Sequence, residues 1–129
     1  MAYGSIKADS LIWDNSGSDA SIALSDLAEL RNIPQNSKSS AYTLIASDNS
    51  KHILTTANVT VPNGVFSAGH CVSIVNNSGS AISIVQGSSF TLYNAADGTT
   101  GNKSAAARSM STILFTASNA GYITGAGIS

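Results

Sequence analysis

The stretch Cys71–Gly87, CVSIVNNSGSAISIVQG, constrains this chain more than any other. Apolar residues alternate with serine over CVSIVN, stop at an Asn-Asn-Ser-Gly-Ser cluster, and alternate again over AISIVQ. A period of two is the mark of a half-buried strand, and Asn, Ser and Gly supply the turn. The stretch therefore predicts a hairpin. Val72 and Ile74 face one side, Ile82 and Ile84 meet them across the turn, and Ser73 and Ser83 face the other.

The same pattern recurs from Ala41 onward. AYTLIAS, KHILTT, NVTV, CVSIVN, AISIVQ, FTLYN, STILFTAS and AGYITGAG read as strands, divided by Asp-Asn-Ser, Pro-Asn-Gly, Asn-Ser-Gly, Asp-Gly and Asn-Ala-Gly signals. β-Branched residues dominate and glycines recur, which excludes continuous helix. About eight short strands predict a mainly β body, an antiparallel sandwich or jelly-roll-like domain with a small barrel as the neighbouring option. No internal repeat of fixed period is visible. The segment GTTGNKSAAAR reads as the one long connection, with room for a helical turn.

The first part of the chain differs. YGSIKADSLIWD predicts one or two short strands, NSGSD a loop, and Asp26 with Glu29 ahead of Pro34 a short helix over about Asp26 to Asn32. PQNSKSS reads as a linker. The expected division is an extended N-terminal arm over residues 1–38 and a β-sandwich domain over residues 39–129.

Composition narrows the function classes. Charged residues are 10% and hydrophobic residues 43%, against about 25% charged in an ordinary soluble domain. A surface so poor in charge fits an assembly, because interface centres are depleted in charged side chains. Six basic and seven acidic residues give a net charge of −1 without a basic cluster, so the electrostatic footprint of a nucleic-acid binder is missing. No apolar run approaches the ~20 residues of a membrane span. The opening MAYGSIKADS lacks the segments of a signal peptide. The expectation is a chain made in a cytoplasm and kept there until it is assembled.

Residues with chemistry are few and scattered. Cys71 stands alone, so no internal disulfide is possible. His70 beside it invites a nucleophile-and-base pair, yet neighbours on a strand point to opposite faces. With His52 the two match no closed zinc spacing. GTTGNKS resembles a phosphate loop but is one residue short, with Asn102 where the loop needs glycine; Lys103 is then solvated or paired at a subunit contact. The carboxylates Asp9, Asp14, Asp19, Asp26, Glu29, Asp48 and Asp97 sit mostly beside Gly, Ser or Asn, where turn and cap duty is expected. No catalytic residue, metal ligand or cofactor site is assigned. Of the aromatic residues, Trp13, Tyr93 and Tyr122 are candidates for sugar contact, and core or subunit contact is expected for most.

Two stretches carry a family resemblance. TTGNKSAAARSMSTILFTASNAGYITGAGIS is similar to a C-terminal module of virion structural proteins from tailed phages, marine and cyanobacterial ones especially. Its pattern runs Thr-Gly-Asn-basic, a short Ala/Arg segment, a strand and a terminal Gly-Ala-Gly. AYTLIASDNSKHI, VTVPNGVFSAGHCVSIVNNSG and ISIVQGSSFTLY fit the same module, so the likeness spans Ala41 to Ser129. YGSIKADSLIWDNSGSDASIALSDL resembles the opening of phage tail-fibre proteins, although no repeated shaft follows it here.

The resemblance implies a non-enzymatic protein located on the virion, either a tail-fibre or tail-tip component or a capsid decoration protein. It implies a homotrimer that contacts other virion proteins; the arm, including Ile6, Leu11, Ile12 and Trp13, is expected to dock on a neighbouring subunit or on the particle. A host-glycan-binding module of the adsorption apparatus is the alternative. Deleting about the first 36 residues is expected to leave a folded body that no longer joins particles, read by incorporation into purified virions; normal incorporation removes the attachment role of the arm.

Overall fold

The structure is a computed structural model that describes residues 10–14, 17, 19–23 and 32–129. It divides into two compact units, Met1–Ile33 and Pro34–Ser129. The first contains a hairpin of β1 (Ser10–Asp14) and β2 (Asp19–Ala23), paired antiparallel from Ser10↔Ala23 to Asp14↔Asp19. Gly17 in its loop has φ +92°, a conformation that glycine adopts without strain. The helix expected over Asp26 to Asn32 lies outside the described residues except for Asn32, which is a bend.

The second unit is mainly β, as expected, but its sheets are mixed and not antiparallel throughout. Its strands are β3 (Gln35–Lys38), β4 (Tyr42–Thr43), β5 (His52–Thr55), β6 (Val59–Val61), β7 (Cys71–Asn76), β8 (Ile82–Gln86), β9 (Thr91–Asn94), β10 (Lys103–Ala105), β11 (Met110–Ala117) and β12 (Ala120–Thr124). A six-stranded sheet has the order β3-β5-β7-β11-β12-β9, and a four-stranded sheet the order β10-β8-β6-β4. From β3 to β10 the chain changes sheet at every step. Because β3, β5 and β7 are mutually parallel, and β4, β6 and β8 likewise, three successive coils stack on one another. This is a short solenoid in the sense that each coil pairs with its neighbours. The antiparallel pairs β11–β7, β12–β11 and β10–β8 close the far end, with β9 parallel to β12.

This topology corrects the hairpin. β7 and β8 do not pair with each other: β7 lies between β5 and β11, and β8 between β6 and β10. The turn between them is an arch from one sheet to the other. Val72, Ile74, Ile82 and Ile84 are all buried in one cluster that draws on both sheets, so the expected meeting of their side chains stands while the hydrogen-bonding partners differ. Alternation reports which side chains leave water; it does not report which backbone lies alongside. The coils also explain why no repeat was visible. Gln35 pairs with His52 and His52 with Ser73, steps of 17 and 21 residues, while Val59 pairs with Ile84, a step of 25.

Two segments read as connections are strands. PQNSKSS contains β3, which pairs in parallel with β5 from Gln35↔His52 to Lys38↔Thr55. GTTGNKSAAAR contains β10, paired with β8. Both are polar and short, and their pairing comes from the neighbouring coil and not from their own pattern. The boundary of the β body therefore falls at Pro34, five residues ahead of the expected Ser39.

Where the chain turns between sheets, side-chain amides take the place of missing strand partners. Asn49 Oδ1 accepts the Cys71 N–H at 3.0 Å, and Asn58 Oδ1 accepts the Ser83 N–H at 2.9 Å. Gln86 Oε1 accepts from Leu92 at 2.9 Å and from Gly101 at 3.0 Å. Gly87 follows directly. Its N–H bonds to Val61 O, and a Cβ there would stand 2.5 Å from that same oxygen. Asn76 makes the largest set. At 1% exposure its Nδ2 donates to Ser80 O at 2.8 Å, Ala105 O at 3.1 Å and Ala106 O at 2.8 Å, while its Oδ1 accepts the Ser78 N–H and hydroxyl.

Asn76→Ala removes all of these side-chain hydrogen bonds from a buried site, although Ser80 O keeps the Ser78 hydroxyl and Ala106 O the Ser109 N–H as donors, and is expected to cost about 2–4 kcal/mol by denaturant unfolding. Asn76→Asp should cost at least as much, because a carboxylate cannot donate to the three carbonyls. A chain starting at Pro34 should melt as one cooperative unit. One starting at Ser39 loses β3 and should melt markedly lower.

Candidate assembly surface

The outward residues of the six-stranded sheet form three rows across the strands. In the first, Tyr93 lies beside Tyr122, Tyr122 beside Leu114, and Leu114 beside Cys71. The two tyrosine rings stack with centroids 4.9 Å apart at 18°. In the second, Thr124, Thr112, Ser73, His52 and Gln35 follow one another, with Ser73 Oγ and Thr112 Oγ1 2.9 Å apart and His52 Nε2 3.0 Å from Gln35 Oε1. In the third, Met110, Val75, Leu54 and Ser37 follow one another. Two rows rich in apolar side chains thus flank a polar one.

No Lys, Arg, Asp or Glu stands in these rows. Met110 is 63% exposed, Leu114 49% and Tyr122 43%. With strands ~4.8 Å apart and same-face residues ~7 Å apart, the face covers on the order of 500–600 Å² including side-chain margins. That is near the lower end of what one partner contributes to a specific interface.

Charge is scarce over the whole body. From Pro34 the charged residues are Lys38, Asp48, Lys51, Asp97, Lys103 and Arg108. Two of them are buried, Asp48 at 1% and Lys103 at 4% exposure. The burial of Lys103 overturns the expectation of a solvated lysine. Strand parity in β10 turns Lys103 and Ala105 inward, and the ammonium donates to Thr99 Oγ1 at 3.0 Å. The rest of the loop is structural too, with Asn102 Oδ1 accepting the Gln86 N–H at 2.9 Å.

Asp48 does more than serve its own turn. It accepts the Ile45 N–H at 2.9 Å at the 3₁₀ turn Ala46–Asp48, the Tyr42 hydroxyl at 2.8 Å and Asn36 Nδ2 at 2.7 Å, which ties β3, β4 and the turn together. Burial, reinforced by the Asp48 carboxylate, raises the Tyr42 phenol above its ordinary value. The fold thus favours neutral Tyr42, a contribution lost as pH rises past about 10, where the unfolded chain ionises first. Asp97 is the plain turn carboxylate that its setting predicts. The Thr99 hydroxyl and N–H hold its carboxyl below the usual range.

His70 precedes β7 in a turn, where its Nδ1 accepts the Ser67 N–H at 3.3 Å and its ring packs edge-on to Phe66. Burial pushes the Cys71 thiol upward, away from the thiolate that a nucleophile needs. Among the described residues, no group of three or more His, Cys, Asp or Glu is placed to hold a metal ion, and no helix is long and apolar enough to cross a membrane.

Of the expected attachment residues, Ile6 lies outside the described residues. Leu11, Ile12 and Trp13 fall in β1, where the side chain of Ile12 is 65% exposed and those of Leu11 and Trp13 lie outside the description. Of the candidate rings, Tyr93 and Tyr122 come together, whereas Phe66, Phe90 and Phe115 are core residues stacked or edge-packed on one another. Sequence reasoning missed Met110, Leu114 and Thr112 as surface residues. The available signal was the outward parity of STILFTAS. The chain matches no family model, no curated protein and no solved structure.

Asp48→Ala leaves three donors without their acceptor and is expected to destabilise the body by about 2–4 kcal/mol in denaturant unfolding. Asp48→Asn should cost less, since its remaining oxygen still accepts from Tyr42 and Ile45 while the Asn36 amide can turn its own oxygen to the new NH₂.

Proposed function

We propose that this chain is a non-enzymatic structural protein of a tailed-phage virion, exposed on the particle. It assembles with copies of itself through the outer face of the six-stranded sheet and attaches through its N-terminal unit. The observation that carries the self-assembly is the uncharged face itself, six strands wide, with Leu114, Met110 and Tyr122 exposed and Tyr122 stacked on the half-buried Tyr93. Apolar rows with aromatic and Met side chains and no charged residue have the composition of an interface centre. The virion setting rests on the sequence resemblance, which also implies a trimer and contacts with capsid or tail proteins.

The tyrosine pair favours a second reading, a host-glycan contact, because the exposed Tyr122 ring backed by Tyr93 on a sheet suits the apolar face of a sugar. Sugar binding abolished by Tyr122→Ala, with the oligomer intact, would favour it.

Leu114→Glu places a charge in the apolar row that carries the tyrosine pair. It should leave stability within about 0.5 kcal/mol, as expected for an exposed site, while weakening self-association at least tenfold in sedimentation equilibrium. A monomeric wild-type chain at micromolar concentration would overturn self-assembly. Stoichiometry in purified virions decides placement: hundreds of copies per particle assign it to the capsid surface, a few to the tail, and none removes the virion reading.

A further inference from the structure

The stacked coils end differently at their two ends. At the late end both sheet edges are covered by the chain itself. Ser104 N–H donates to Ser129 O at 2.8 Å and Ser129 N–H donates back to Ser104 O at 3.1 Å, which seals β10, and Ala105 bridges Ile128 beside them. Tyr93 bridges Thr100, and Asn94 N–H donates to Thr99 O at 2.8 Å, which covers β9. At the early end β3 is the outermost strand of the six-stranded sheet, and no described strand pairs with its outer side.

The backbone groups on that outer side can be named. His52 N–H bonds to Pro34 O at 2.9 Å and Thr56 N–H to Lys38 O at 3.3 Å, so these residues turn their backbone toward β5. Alternation along the strand then directs the N–H and C=O of Gln35 and Ser37 away from β5.

Natural edges are usually guarded by a charge, a proline or a bulge. Here the Lys38 ammonium lies 4.3 Å from the centroid of the Tyr42 ring, occupied with that ring. Pro34 precedes the strand, and its missing N–H faces β5. The register with β5 runs through four consecutive pairs without a shift. Gln35 and Ser37 are exposed and uncharged.

We infer that the β3 edge pairs antiparallel with the β3 edge of a second copy about a two-fold axis, joining two six-stranded sheets into one. The occupant follows from the two ends. Strand addition needs an open edge on both sides, and the late end of a second copy is covered by its own chain, β9 by the Thr99–Thr100 segment and β10 by Ser129. Head-to-tail stacking into a fibre is therefore closed off, and early end to early end is what remains, a self-complementary contact that stops at two. A register that sets Gln35 opposite the partner's Ser37 centres on Asn36 and places each Lys38 opposite a proline, not another lysine. This contact is separate from the outer face of the sheet and does not depend on the virion reading.

The test uses the full-length chain, with residue-resolved hydrogen exchange followed against concentration beside sedimentation equilibrium. The amides of Gln35 and Ser37 should slow at least tenfold as the two-fold dimer forms and recover on dilution. Ser37→Pro removes one outward N–H at an edge position that proline tolerates, and should weaken that dimer at least tenfold. Leu114→Glu should leave the protection of Gln35 and Ser37 unchanged, so loss of the face contact and loss of the edge contact are read separately. Oligomers without protection at these two amides, or absence of protection at any concentration, would overturn the inference. If Ser37→Pro does not fold, exchange in the wild-type chain alone decides.

Discussion

The arch between β7 and β8 depends on one buried amide. Asn76 ends a strand of the six-stranded sheet at the point where the chain leaves for the other sheet, and there the backbone loses its ladder partners. Its donors reach Ser80 on the arch and Ala105 and Ala106 at the end of β10, so one side chain ties the third coil to the closing strands. Buried backbone carbonyls must be paired. An amide suits this place because it donates and accepts at once and brings no charge into a site that excludes water.

The same logic accounts for the composition. Asn49, Asn58, Gln86 and Asn102 each accept a backbone N–H at a corner, and Ser78, Thr99 and Thr55 hold shorter turns. A chain that changes sheet at every step from β3 to β10 has many corners, and neutral hydrogen-bonding side chains satisfy them at lower desolvation cost than carboxylates or amines. The two buried charged residues follow the rule that such groups need partners: Asp48 accepts three hydrogen bonds, and Lys103 donates to Thr99. With polar residues committed to corners and few charges left over, both rims of the large sheet face and its centre remain uncharged. That composition ties the internal architecture to the proposed role in assembly.

Much of the body was legible in the chain. All eight stretches read as strands from Ala41 onward contain strands, and the inward set Val72, Ile74, Ile82 and Ile84 is buried. β3 and β10 were not legible, because QNSK and KSA carry no apolar alternation and become strands only beside β5 and β8. The candidate surface was half legible. Tyr93 and Tyr122 drew notice as rings, but their stacking joins strands whose pairing is parallel and separated by 29 residues at Tyr93↔Tyr122. Leu114 and Met110 passed unnoticed, since an apolar residue in a strand reads first as core and only the pairing of β11 with β7 and β12 fixes which face it takes.

The sequence by itself determined that this is a mainly β body of short strands, where its turns fall, which side chains leave water, and that charge takes little part in its surface. Each of these follows from local rules, the two-residue period of a strand and the backbone freedom of Gly, Asn and Ser. The tertiary structure alone decided that the clearest hairpin is an arch, that three coils stack in parallel, that Lys103 lies inside, and that no described strand covers the early edge of the stack. Hydrogen-bond pairing between strands joins residues far apart in the chain and leaves side-chain alternation unchanged, so a hairpin and an arch are written in the same letters.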